Sequence, residues 1–533
     1  MLTTLRAALS LALLAGFYVY ALVVAAASVS LALLLGGLLG YNKLAIFLVI
    51  AGVLTAVAVV RATWRVARAK YVPYGLLITE DRAPELWATV RELAAAVGTR
   101  PPDEIRLVPE VNAAVSEDNR LLGLRGGRRY LYLGLPLLQA FTVAQLRAVL
   151  AHELGHYSHQ HVRLAEPVYR GRLLIAHTMA QLSRDRTWLT RWVMRLYAYF
   201  YFLVSMAVSR AQEIEADRAS VRLAGRSSAI QALRELPGLS AAWNFYLESY
   251  VVLGKDTNLA PAGVLSHFTS LLEGRSKELA EIRASAPSAR RSWWDSHPSD
   301  AERIAMMARE PDPSVAADER PARIFLPDLD AAAAELEEVT FPFEGRQRVS
   351  FEQYVAASLA ASYQKQADRV YRSLARITEP TFPTLGTVLD LLAAGRADEL
   401  GATLVPAGSA PEVIREATRE AVWTTIVAGL CAAGAARWQL SWSGPAVLVD
   451  STGKEIDHQQ LVERALGGQA TEVAAELTAT GVDLAATAEK ATIDFSDAQP
   501  LAALLNVVVN GKRQDLLILD KGLMTLPPAP YLL

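Results

Sequence analysis

Cysteine is nearly absent from this chain: Cys431 is the only one in 533 residues. No intramolecular disulfide can form and no thiolate metal cluster can be built. A reducing compartment fits, although many secreted bacterial proteins share the lack. Histidine is scarce as well, and four of the eight fall between positions 152 and 161, so imidazole chemistry is concentrated in one place. No basic run is interleaved with aromatics and the formal net charge is −2, which leaves nucleic-acid binding without support. Apolar residues are abundant: mean hydropathy is +0.20, high for a soluble enzyme, and it points to a membrane part. The length exceeds what one core can serve and suggests about three or four structural units.

The apolar excess is placed early. From Ala7 to Asn42 there is no charged residue, and after Lys43 a second uncharged run extends from Leu44 to Val60. A span needs ~20 apolar residues, so the first run is long for one helix and the second slightly short. Gly36, Gly37 and Gly40, followed by Tyr41-Asn42-Lys43, supply the break. This predicts a transmembrane helical hairpin with spans near 9–34 and 43–61. Arg6 precedes it, and Arg61, Arg65, Arg68 and Lys70 follow it. Positive-inside then puts both ends, and the chain that follows the hairpin, in the cytoplasm of a multi-pass cell-membrane protein. The alternative is a signal peptide cleaved at Ala25-Ala26-Ala27. It would leave a mature N-terminus that opens on another long apolar segment, which argues against it.

The chemistry centres on Ala151-His152-Glu153-Leu154-Gly155-His156. Thr142 is a suitable N-cap for a helix over 143–159. Histidines four apart share one face of that helix and can reach one metal ion. Glu153, between them, is placed to take a proton from a metal-activated water. The apolar set Leu146, Val149, Leu150 and Leu154 faces a core, with His152 and His156 just off that stripe. Ahead of it, 80–97 reads as an amphipathic helix, 105–108, 111–115 and 130–133 read as strands, and 135–141 reads as helical. A peptide substrate can add itself to the edge of such a sheet.

A catalytic zinc site takes three protein ligands. The extended pattern with a downstream glycine and third histidine fails, because those positions hold His159 and Val162. His159 and His161 are near in sequence, but His159 cannot join His156 on one ion without distorting the helix. A better candidate lies in Ser209-Arg210-Ala211-Gln212-Glu213-Ile214-Glu215-Ala216-Asp217. Met206, Ser209, Glu213, Ala216, Asp217 and Ser220 share one helical face. Its small side chains would let this helix approach the first, with Glu213 reaching the metal. Asp217, one turn on, could accept a hydrogen bond from a ligand imidazole. Glu215 points away, beside Arg218 and Arg222.

His152-Glu153-x-x-His156 followed by Ser209-Arg210-x-x-Glu213-x-x-Ala216-Asp217 resembles the membrane-associated zinc metalloproteases of the HtpX and CaaX-prenyl-protease type, family 48 of the metallopeptidases and gluzincin in ligand set. Asn112-Ala113 before the metal helix, Leu146 to Ala151 leading into it, and His297-Pro298 ahead of Glu302-Arg303-Ile304 extend the resemblance over about residues 80–310. It implies a mainly α fold with a small β-sheet, an α+β zincin-like protease domain. It implies one Zn2+ per chain on His152, His156 and Glu213, with Glu153 as general base. It also implies Asn112 and Ala113 on a substrate-binding edge strand, and His297 near the metal as a transition-state donor or gating ligand. The implied substrates are polypeptides, membrane proteins among them. Two other functions compete: a catalytically silent membrane scaffold of the same fold, and a zinc hydrolase of a non-peptide amide or lipid.

The remainder carries no chemistry that sequence reveals. Residues 188–208 are aromatic and apolar, read as a buried or interfacial helix in preference to a third span. Residues 311–327 are rich in proline, Asp and Ala and read as a linker. Helices are predicted over 351–375, 384–400 and 410–436, then strands at 439–442, 446–449, 515–519 and 523–524 around a helix at 459–466. The expected order is thus a membrane hairpin (1–70), the protease domain (71–310), a linker and helical region (311–437) and a small α/β module (438–533).

Overall fold

The computed structural model describes residues 72–118, 127–157, 210–255, 257–285, 298–313, 315–341, 343, 345–377 and 383–486, the backbone of three strands between 504 and 525, and scattered positions elsewhere. The hairpin expected at 9–34 and 43–61 lies outside these residues, apart from isolated helical positions between 12 and 57. Most of 188–208 lies outside them too. Among the described residues no helix is long and apolar enough to cross a membrane. The architecture is mainly helical with small sheets. It divides into two compact units, one of 1–241 with 278–340 and 529–533, the other of 242–277 with 341–528.

The first unit is built on a four-stranded sheet of order β1-β2-β4-β3. Its strands are β1 (Leu76–Ile78), β2 (Glu104–Val108), β3 (Ala113–Glu117) and β4 (Arg129–Gly134). β2 and β4 run parallel; the other pairs are antiparallel. All six residues of β4 are buried, as a central strand covered on both faces requires. β3 is left as an edge. Gly134 ends β4 where a Cβ would stand 2.1 Å from the Glu110 carbonyl oxygen and 2.7 Å from that of Asn112. Only glycine permits that approach, and its N–H donates to the Asn112 carbonyl at 2.7 Å, fixing the entry to β3. Between β1 and β2, α1 (Pro84–Val97) buries Leu86, Trp87, Val90, Leu93, Ala94 and Val97, the apolar face its spacing predicts.

After β4 come α2 (Leu135–Ala140) and α3 (Val143–Gly155). Thr142 caps α3 in a full capping box with Gln145. The predicted one-sided stripe on α3 is too narrow: twelve of its thirteen residues are buried, all but Arg147. β3 and α1 pack against it, and a further helix through residues 210–224, α4, lies close on another side. Gly155 is the contact point, since a Cβ there would stand 3.1 Å from Ala219 Cβ and 3.2 Å from Ala216 Cα. One turn and more away, Ser220 Oγ donates to the Ala148 carbonyl at 2.8 Å. The small face read in the sequence of α4 is therefore what lets two backbones meet.

α5 (Arg226–Tyr246) follows, then α6 (Asp300–Met307), started by a Ser299–Glu302 capping box. The proline-rich stretch beyond it does more than connect. The carbonyls of Arg320 and Asp318 accept from Val143 and Ala144 N–H at 2.8 and 3.0 Å, closing off the first turn of α3. α7 (Leu329–Thr340) packs on β1, and Arg82 reaches Asp328 and Glu335 at 2.5 and 2.8 Å.

In the second unit, α8 (Phe351–Leu374), α9 (Leu385–Ala393) and α10 (Pro411–Ala432) share one core with the hairpin β7 (Ala436–Gln439) and β8 (Val447–Asp450), through Leu374, Leu389, Ile426, Trp438 and Leu448. β5 (Leu259–Pro261) pairs in parallel with β6 (Gln347–Val349). β7 begins three residues before the predicted 439–442, because Gly434 in the left-handed region (φ 68°) turns the chain out of α10 early. Trp442 consequently falls in the turn, beside Tyr250, Phe351 and Tyr246. A three-stranded antiparallel meander, β9 (Leu504–Val509), β10 (Lys512–Leu519) and β11 (Gly522–Thr525), closes the order.

Candidate metal centre

α3 and α4 bring His152, His156 and Glu213 together. The two Nε2 atoms are 3.2 Å apart, and each lies 3.6 Å from a Glu213 carboxylate oxygen. One donor atom from each falls within 4.8 Å of the other two. Donors at zinc distances in a tetrahedral site stand roughly 3.3 Å apart, so this triangle has the right size. Its chemistry fits equally: two imidazole lone pairs and a carboxylate, buried and convergent, repel one another unless a cation lies among them. The residues present therefore suit a divalent metal with two nitrogens and one oxygen.

The tautomer is set from behind. His152 Nδ1 lies 3.1 Å from Asp217 Oδ1, so Nδ1 carries the hydrogen and Nε2 keeps its lone pair for the metal. Asp217 is itself clamped by Arg303, whose Nε and Nη2 donate to its two oxygens at 2.9 and 2.5 Å. That guanidinium is 1% exposed, and its Nη2 comes within 3.8 Å of Glu213. Burial alone would raise Asp217, yet the bonds from Arg303 and His152 hold its carboxyl below the ordinary range. Burial pushes His156 down to about 4, which leaves it neutral and able to act as a ligand. Against the same pull of burial, the Asp217 bond keeps His152 above its ordinary value.

Glu153 is 3% exposed, and burial, with Glu213 adding to it, pushes its carboxyl up to about 7, the range a general base needs. Its carboxylate takes a hydrogen bond from the Val115 backbone. Tyr157, one turn along from Glu153, donates its hydroxyl to the Val115 carbonyl at 2.8 Å, while Arg129 lies over its ring at 4.6 Å. Val115 therefore turns both backbone groups away from β4, and by strand periodicity Ala113 does the same.

The structure gathers His152, Glu153, His156, Glu213 and Asp217 in one cluster, buried except for the half-buried His156, and sets Asn112 and Ala113 at the start of the neighbouring edge strand. Asn112 is buried, its backbone bonded to Glu110 and Gly134. Glu215 is exposed, as its position on α4 predicts. His297, His159, His161 and Val162 lie outside the described residues. Sequence reasoning gave Arg303, Val115 and Tyr157 no role. The Ser299–Glu302 capping box announces the helix that carries Arg303, but nothing local shows which way that arginine faces.

The ligand triangle, on two closely packed helices beside a small edge-ended sheet, has the donor set of a gluzincin-like metal centre. In agreement, residues 80–310 match the model of Peptidase family M48. Protease HtpX homolog 1 of Streptomyces coelicolor is 30% identical over 175 residues, covering 30% of this chain and 55% of that protein. The chain thus spans about half the length of the curated relative it matches. No solved structure matches.

Proposed function

We propose that the chain is a membrane-anchored zinc endopeptidase acting on extended polypeptides, damaged or misassembled membrane proteins among them. The observation that carries this reading is the His152–His156–Glu213 triangle with Glu153 beside it and Asp217 behind it. Zinc held there supplies the Lewis acidity that makes a water reactive near neutral pH. Glu153, oriented by Val115, takes the proton of the attacking water and returns it to the leaving amine nitrogen. The substrate strand pairs with the outer edge of β3 at Ala113, beside the Val115 groups already bonded to Glu153 and Tyr157, with Asn112 at its entry. His297 is the donor proposed for the developing oxyanion, on the strength of the resemblance. Membrane anchoring rests on the uncharged runs before residue 61.

Metal analysis with a casein-cleavage assay tests the reading, using E153Q as the control. Stoichiometric zinc and cleavage abolished by E153Q are expected. Stoichiometric zinc without cleavage of any peptide would turn the reading to the scaffold, and cleavage confined to lipid or small amides would turn it to the non-peptide hydrolase.

A further inference from the structure

We infer that Arg303 is a positioning residue for the metal, so that residues 298–307 belong to the metal site and not merely to the frame around it. The inference rests on the zinc-site reading above. Arg303 is the largest side chain among those almost fully buried, and a buried guanidinium is costly unless it is paired. Its pairing is aimed inward. Nε and Nη2 form a fork on Asp217, and Asp217 in turn holds Nδ1 of His152. A carboxylate gripped on both oxygens cannot rotate, so the imidazole it orients is fixed with it. The acidic groups facing the guanidinium are Asp217 and Glu213 from α4 and Asp300 from its own helix, with His152 opposite from α3.

Charge makes the same point. Glu153, Glu213 and Asp217 are each 3% exposed and carry three negative charges when ionised, while Arg303 carries one positive. The buried cluster is neutral when two further positive charges enter it, which is what a divalent ion brings. Without Arg303 the loaded site would hold an unbalanced buried carboxylate. Beside the fork, Arg303 Nη1 has no hydrogen-bond partner among the described residues. A small cavity behind the ligands is lined by Arg303, His152, Asp217 and Ser220 together with apolar residues such as Ala229, Leu233 and Leu236, so the guanidinium lies behind His152, on its Nδ1 side.

Zinc affinity by chelator competition, and the visible spectrum of the cobalt-substituted protein, test the inference on the full chain. R303M is expected to bind zinc roughly 10–100-fold more weakly, with altered cobalt bands. R303K, which keeps the charge but not the fork, should recover part of the affinity. Should R303M fail to fold, R303K decides alone, at roughly tenfold weaker binding than wild type. Wild-type affinity and unchanged cobalt bands in either folded variant would overturn the inference. Wild-type protein that binds zinc but cleaves nothing would sink the peptidase reading and leave the Arg303 comparison decisive. Wild-type protein that binds no zinc would sink both.

Discussion

Glu153 and Asp217 illustrate how two carboxylates of similar burial are driven apart. Burial lifts Glu153 to about 7, whereas Arg303 and His152 outweigh burial at Asp217 and hold it low. One becomes a group that can exchange a proton, the other a fixed acceptor. Replacing Glu153 by Gln keeps the shape and removes the base, so cleavage should fall by roughly 10²–10⁴ with zinc retained; loss of zinc alongside would show a structural role instead. D217N should weaken zinc binding by about tenfold or more, measured by chelator competition. The same shifts predict how chelator-treated protein responds to pH. Between 4.5 and about 7 the folded chain keeps a Glu153 proton that the unfolded chain releases, so stability falls as pH rises. His156, depressed from 6.5 to about 4, does the reverse between those values. The two oppose each other up to 6.5. Above that only the loss remains, reinforced by His152, which stays protonated longer folded than unfolded. The melting temperature should therefore fall from pH 6.5 to 8, less so in E153Q, and a rise across that interval would contradict the assignment. At this scale the candidate metal group and the Asp217 behind it could be named because helical spacing puts His152, His156, Glu213 and Asp217 on nameable faces. Arg303 was not, since Asp300-Ala301-Glu302-Arg303 reads as an ordinary charged helix start whatever it packs against. Val115 was not either, because backbone hydrogen bonds leave no mark on residue type.

The element that sets the site is the crossing of α3 and α4, and its tolerance is narrow. A side chain at Gly155 would meet Ala216 and Ala219 at 3.1–3.2 Å, so G155V must push the helices apart and carry Glu213 away from the histidines. A loss of about 1–3 kcal/mol in stability is expected, together with weakened zinc binding. A variant that melts like wild type and keeps its zinc would show that the contact does not set the spacing. S220A, which removes the bond to Ala148, should cost about 1 kcal/mol with less effect on the metal. The order of strands and helices from 84 to 155 was readable from alternation, turn residues and caps, because each of these is local; β1, only three residues long, carries too little alternation to read. The near-complete burial of α3 was not, because polar Gln145, His152 and Glu153 read as a solvent face until their partners on β3, α4 and α6 are known.

For the whole molecule, the family domain and the compact units do not share their boundaries. Residues 242–277 lie inside the stretch that matches the family, yet they fold with 341–528. Trp243, Tyr246 and Phe268 from that segment pack with each other, and Tyr246 stacks on Phe351. A chain ended at 340 should therefore expose these rings and fail to unfold cooperatively, as followed by dye binding and calorimetry; a fragment 72–340 that melts cooperatively and binds zinc at wild-type affinity would refute this. Sequence could not have located such a division, since the helices on either side of it are amphipathic in the same way and only long-range packing sorts them. The strap beyond residue 310 carries a kinetic consequence. The first amides of a helix ordinarily exchange with solvent deuterium within the earliest time points, having no carbonyl to bond. In α3 the Val143 and Ala144 amides are bonded to Arg320 and Asp318, and that of Gln145 to Thr142. The metal helix should accordingly show no fraying end: its opening amides will exchange as slowly as its middle, and a cut within 311–317 that loosens the strap will release them first.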